Sequence, residues 1–120
     1  MSRSEAREKA FKLLFQKEMN EEQKMQLEQS NKYTREIVQG VIEHSQDIDQ
    51  IITDHLENWT LNRIALVEKA ILRIATYEIT YLDDIPLGVS INEAVELAHK
   101  YGDEKSGQFV NGVLSKITKK

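Results

Sequence analysis

The sequence predicts an all-α protein: a compact helical domain of about six or seven helices, packed as two small bundles over residues 1–60 and 61–120. Along most of the chain apolar residues recur every three to four positions, the spacing that places side chains on one face of a helix. One proline and five glycines in 120 residues leave few points at which a helix must end. No strand-like alternation and no internal repeat interrupts this pattern.

The first helix is predicted to have two different faces. Its apolar positions form a stripe that should face a core. Arg3 and Arg7 lie four residues apart and therefore share a face, with Lys12 on the next sector. We expect this basic stripe to face solvent or phosphate. The polar stretch over residues 20–31 predicts a short helix or a loop.

The middle of the chain keeps helical spacing from Ile37 to Trp59. This predicts one long helix, or two in succession with a break near residues 45–47, where Ser and Asp favour a cap. Residues 59–62 then form the predicted seam between the two bundles.

The strongest amphipathic pattern runs from Ile64 to Ile79, and Pro86 with Gly88 marks the turn that follows. Ser90 and Glu93 match the capping box S-x-x-E, which predicts that the next helix starts there. Gly102 is well placed as a left-handed residue after the end of that helix.

A last helix is predicted from about Ser106. Gly112 falls inside it, although glycine costs roughly 1 kcal/mol against alanine in a helix interior. Gly112 therefore suggests close approach by a partner or by another helix, and close helix packing is the favoured explanation.

Charge is unevenly distributed along the chain, whose formal net charge is −4. Residues 1–17 carry a net charge of +3, the acidic surplus lies in residues 18–60, and the second half is balanced. A local basic patch can bind phosphate even in an acidic protein. The absence of cysteine and of any long apolar run favours the cytoplasm and argues against a membrane protein.

No motif for catalysis stands out. His44, His55 and His99 are too scattered for a local metal site, and no nucleotide-binding or hydrolase motif occurs. The acidic pair at residues 83–84 is typical of a solvated helix end. We therefore predict neither an enzyme nor a cofactor or metal site.

Several segments resemble the NusB family of bacterial transcription antitermination factors. They are EKAILRIATYE at residues 68–78, residues 85–102, FVNGVLSKI at residues 109–117, and AREKA at residues 6–10 with LFQ at residues 14–16. The resemblance implies an all-helical protein that binds single-stranded box A RNA in nascent ribosomal RNA. It also implies pairing with the ribosomal protein NusE, in the complex that helps RNA polymerase resist termination. The sequence departs from the family pattern where Glu5 interrupts the basic cluster.

The resemblance also implies site residues. Those implied for RNA binding are Arg3, Arg7, Lys9, Lys12, Phe15, Gln16, Lys105, Phe109 and Asn111. Those implied for partner binding are Glu68, Arg73 and Tyr77. The basic residues would hold phosphates, and the aromatic and amide side chains would meet unstacked bases. Core packing remains an equal alternative for Phe15, and core packing is also open for Phe109.

Two other functions remain open. The chain could be a helical interaction module or homodimer that does not bind RNA. It could also be the N-terminal fragment of a ribosomal RNA cytosine methyltransferase, a reading that requires a cofactor-binding domain after Lys120. The sequence leaves open the oligomeric state without RNA and the RNA base preferences.

Overall fold

The computed structural model describes residues 2–20 and 27–119, and within these ranges it contains six α-helices. In chain order they are α1 (Arg3–Met19), α2 (Lys32–Glu43), α3 (Ser45–Asp54), α4 (Leu66–Tyr81), α5 (Leu87–Tyr101) and α6 (Glu104–Thr118). Short 3-10 turns at Leu27–Gln29 and Leu61–Arg63 lie in the connections. The predicted all-α fold class is confirmed. Part of the predicted polar link, residues 21–26, lies outside the described residues.

Three helices begin at polar caps. Ser2 and Glu5 form a reciprocal capping box at the start of α1, with both side chain-to-backbone distances at 3.1 Å. Asn31 accepts a hydrogen bond from the backbone N–H of Tyr33 at the start of α2. Asp103 accepts from the N–H of Ser106, so α6 begins at Glu104, two residues before the predicted start.

The predicted capping box at Ser90 is wrong. Helix α5 starts three residues earlier, directly after Pro86, whose fixed φ suits the entry to a helix. Ser90 is therefore a buried residue within the helix, and its Oγ has no hydrogen-bond partner among the described residues. Glu93 turns instead towards α1, where it accepts hydrogen bonds from Ser4 and Arg7.

The connections differ from the predictions in two places. The break between α2 and α3 falls at His44, next to the predicted position, but α3 ends at Asp54. Trp59 therefore lies in a loop rather than in a helix. Gly102 has φ −116°, so the predicted left-handed conformation is wrong. A Cβ at Gly102 would lie 2.6 Å from Oγ of Ser106, which shows how tightly the chain turns into α6.

Helix α4 is the centre of the fold and packs against each of the other five α-helices. Nine of its sixteen residues are buried, as expected for a helix that is surrounded by others. One continuous hydrophobic cluster contains side chains from all six helices. The division into bundles at residue 60 stays a prediction. Among the described residues, no helix combines the length and the apolar composition that crossing a bilayer requires.

Candidate nucleic-acid and partner interfaces

Arg3 lies at the exposed start of α1. Its Nη2 donates to Oδ2 of Asp84 at 3.1 Å, and its guanidinium lies 4.7 Å from the centre of the Tyr33 ring. The hydrogen bond to Asp84 raises the pKa of Arg3. Both side chains of the pair are more than half exposed. Exposed ion pairs of this kind contribute little to stability, so Arg3 can exchange Asp84 for a phosphate at low cost.

Arg7 does not face solvent, so the prediction of an exposed basic stripe is wrong at this position. The residue is 3% exposed. Its Nε lies 3.0 and 2.8 Å from the two carboxylate oxygens of Glu78, and its Nη1 lies 2.9 Å from Oε1 of Glu93. Because α1 packs against α4, the position four residues after Arg3 is covered by Glu78 rather than by water. Arg7 therefore holds the helices together.

The partners of Arg7 were not predicted from the sequence. Glu78 is 1% exposed and also accepts a hydrogen bond from the hydroxyl of Tyr33. Burial and the contact with Glu78 raise the pKa of Tyr33. One sequence signal was available: Glu78 continues the apolar stripe of Ile71 and Ile74 on α4, and an acid at a core position needs a cation.

The outer surface of α1 carries Lys9, Lys12 and Gln16, all of which are exposed. Phe15 is half-buried, and its ring stacks on that of Phe11 at a centroid distance of 5.7 Å. Phe15 thus packs against the core and also keeps part of its ring at the surface.

The end of α5 adjoins this surface. The Tyr101 ring lies 4.8 Å from Phe11 and 6.0 Å from Nζ of Lys12. On the same side Glu8 accepts from Nζ of Lys100 at 2.6 Å and from the Tyr101 hydroxyl. These two hydrogen bonds lower the pKa of Glu8. The described contacts therefore place the basic surface of α1 beside the turn that leads into α6.

Lys105, Phe109 and Gly112 follow one another along a single stripe of α6, while the exposed Asn111 lies on another face. Phe109 is half-buried and packs against the core. A Cβ at Gly112 would meet no atom of the described residues within 4 Å. The favoured explanation of Gly112, close packing of another helix in this chain, is therefore wrong, and the surface here is open.

A groove of about 280 Å³ separates this stripe from the loop before α4. Its lining includes Trp59, Arg63, Ile64, Glu68, Lys105 and Phe109. The structure thus brings the predicted partner residue Glu68 next to the predicted RNA residues Lys105 and Phe109. Trp59 is 56% exposed, and the sequence had assigned it to the apolar face of a helix.

The other two predicted partner residues lie elsewhere. Arg73 and Tyr77 follow Glu68 by five and nine positions, which at 100° per residue places them on other faces of α4. Arg73 donates to both carboxylate oxygens of Asp49 at 2.9 and 3.0 Å. Burial opposes the charged form of Arg73, but Asp49 and Glu18 raise its pKa. Tyr77 is 7% exposed and packs over Gly40.

The described residues include no group of three or more His, Cys, Asp or Glu side chains arranged to hold a metal ion.

Sequence comparisons identify relatives over almost the whole chain. The model of the NusB family matches residues 4–119. The transcription antitermination protein NusB of Oceanobacillus iheyensis is 56% identical, with 98% of each chain covered. Its counterpart of the same name in Bacillus subtilis is 47% identical, with 98% of this chain and 95% of that protein covered.

Solved structures with the same fold carry related names. T. maritima NusB superimposes with a TM-score of 0.90 at 37% identity, covering all of this chain and 92% of that one. A structure described as antitermination factors NusB and NusE in complex with dsRNA gives a TM-score of 0.86 at 35% identity, covering 98% and 96%.

Proposed function

The chain belongs to the NusB family, and on that premise we propose that it is a transcription antitermination factor which binds box A RNA together with NusE. Membership confirms the resemblance seen in the sequence and the prediction of a non-enzymatic protein. The observation that carries the proposal is the whole-length similarity to a NusB whose structure is described with NusE and RNA. The site of action would be nascent ribosomal RNA in the cytoplasm, within the RNA polymerase antitermination complex.

The proposed RNA surface combines α1 with the stripe on α6. Exposed cations would hold phosphates, and half-buried aromatic rings would offer faces on which bases stack. The proposed contact residues are Arg3, Lys9, Lys12, Phe15, Gln16, Lys105, Phe109 and Asn111. Arg7 takes a different role in the proposal: its buried ion pairs hold the first turns of α1 in place.

The proposed partner contact with NusE centres on Glu68. This side chain is half-buried, and no salt bridge in the described part of the chain engages it, so it can pair with a basic side chain of the partner. Arg73 would contribute from another face of α4. Tyr77 would act through packing, because it is buried.

The test is a titration of labelled box A RNA with this protein, in the presence and absence of NusE. The proposed RNA surface of this acidic protein contains only four cations, Arg3, Lys9, Lys12 and Lys105. We therefore expect weak binding alone and tighter binding with NusE, which supplies further contacts at high effective concentration. Equal affinity in both titrations would contradict the joint binding. No binding in either titration would contradict an RNA-binding function.

A further inference from the structure

The groove between Trp59 and Phe109 is not explained by packing of the chain. Trp59 is the single tryptophan of the sequence, yet 56% of it is exposed. The preceding residue, Asn58, has φ 65°, in the left-handed region that non-glycine residues rarely adopt. Conformations of this kind persist where the surrounding structure holds them, and they cluster at ligand sites.

An exposed ion pair joins the loop that carries Trp59 to α6. Nζ of Lys116 lies 2.9 Å from Oε1 of Glu57, two residues before Trp59. Lys116 also lies on the α6 stripe that contains Phe109 and Gly112. The missing side chain at Gly112 leaves this stripe open to a ligand immediately beside Phe109.

The charges of the groove suit a phosphodiester chain. Arg63 and Lys105 line it together with the single carboxylate of Glu68, and the salt bridges formed within the described ranges use other cations. The lining thus has two cations for one anion, around two aromatic rings. Alternating cations and aromatic faces are the means by which proteins bind single-stranded nucleic acid without reading its sequence.

From this geometry we infer that the groove is a stacking site for one unpaired base of the bound RNA, held between Trp59 and Phe109 with its phosphates near Arg63 and Lys105. The inference rests on the proposed function and extends the RNA surface beyond α1 and α6 to the loop before α4. A groove of about 280 Å³ lies near the lower end of ligand-site volumes and is large enough to admit one base.

The test compares Trp59→Leu, which keeps an apolar side chain but removes the flat face, with Trp59→Phe, which keeps an aromatic ring. Labelled box A RNA is titrated with each variant in the presence of NusE. We expect Trp59→Leu to weaken RNA binding roughly tenfold, in the range of one lost base stack, and Trp59→Phe to stay near the wild type. Leu87→Ala is the control, because Leu87 is similarly exposed but lies outside the groove.

Trp59 fluorescence provides a measurement on the unmodified protein. Titration of the protein and NusE with unlabelled box A RNA should quench the Trp59 emission. The same titration with Trp59→Phe measures any fluorescence change that comes from NusE, and this change is subtracted. Arg63→Gln should also lower the salt dependence of RNA binding by about 0.7 in logarithmic slope, whereas Lys32→Gln should not.

The outcomes separate this inference from the proposed function. Wild-type RNA binding with unchanged Trp59 emission and unchanged affinity in Trp59→Leu overturns the stacking site and leaves the RNA-binding function standing. Loss of NusE binding in Trp59→Leu, measured without RNA, would make the groove a protein-docking site and overturn the inference. Failure of the wild type to bind RNA overturns both.

Discussion

Arg7 and Glu78 form a buried ion pair between α1 and α4, in which Nε of Arg7 lies 3.0 and 2.8 Å from the two carboxylate oxygens. Both side chains are almost completely buried, at 4% and 1% exposed. Removal of one member of such a pair leaves the other charged and buried without compensation. The pair therefore fixes the position of the helix that carries most of the proposed RNA surface.

Arg7→Ala should lower the free energy of unfolding by about 3–5 kcal/mol, because it leaves Glu78 buried without its cation. Arg3→Ala removes the exposed pair with Asp84 and should cost less than about 1 kcal/mol. Urea unfolding followed by circular dichroism measures both. Equal losses in the two variants would contradict the structural role of Arg7.

Combined replacement of Lys9 and Lys12 by Gln should weaken box A RNA binding and lower its salt dependence by about 0.7 in slope for each lost phosphate contact. Both side chains are exposed, so the helical circular dichroism should not change. RNA titrations at several salt concentrations measure the slope. A slope equal to that of the wild type would place the phosphate contacts elsewhere.

Glu8 should contribute to the pH dependence of stability. Lys100 and Tyr101 lower its pKa from an ordinary value of 4.5, so its stabilisation is present above that value and is lost as the pH falls through the folded-state pKa. The difference in Tm between the wild type and Glu8→Gln should be largest at neutral pH and should decrease as the pH is lowered below 4.5. Glu96→Gln is the control, and a pH-independent difference for Glu8→Gln would contradict the prediction.

Alanine should have opposite effects at two helical glycines. Gly112→Ala should raise the free energy of unfolding by about 0.5–1 kcal/mol, because its Cβ meets nothing within 4 Å. Gly40→Ala should lower it by about 1–3 kcal/mol, because its Cβ would lie 2.2 Å from Cζ of Tyr77. Thermal unfolding of both variants tests the signs. If RNA approaches α6 at Gly112, the stabilised variant should also bind RNA more weakly.

Asn58 should tolerate glycine better than alanine. Its φ of 65° costs an L-residue with a Cβ about 1–2 kcal/mol, and Asn reduces this cost by local hydrogen bonding. Asn58→Ala should therefore be less stable than Asn58→Gly by about 1 kcal/mol. Equal stability of the two variants in urea unfolding would show that the loop relaxes out of this conformation.

Several features of the fold were predictable because they depend on local spacing. The apolar periodicity and the scarcity of helix breakers determine the helices. The break between α2 and α3 was predicted next to its observed position at His44, although His44 makes no side-chain cap hydrogen bond. The start of α5 was mispredicted because Ser90 and Glu93 have the right identities for a cap, while the backbone had already entered the helix at Leu87. The sequence holds two nearby signals for a helix start, Pro86 and Ser90, and the local pattern does not decide between them.

The sequence by itself determined an all-α protein of the NusB family, its central amphipathic helix and the cations available for RNA. The tertiary structure decided which of those cations face solvent: Arg3 and Arg7 share a helical face, but only Arg7 meets Glu78, 71 residues away in the chain. It also placed Trp59 beside Phe109, across a groove that no local pattern predicts. The physical reason is that exposure and charge pairing depend on which helices pack together, and residues distant in the chain determine that packing.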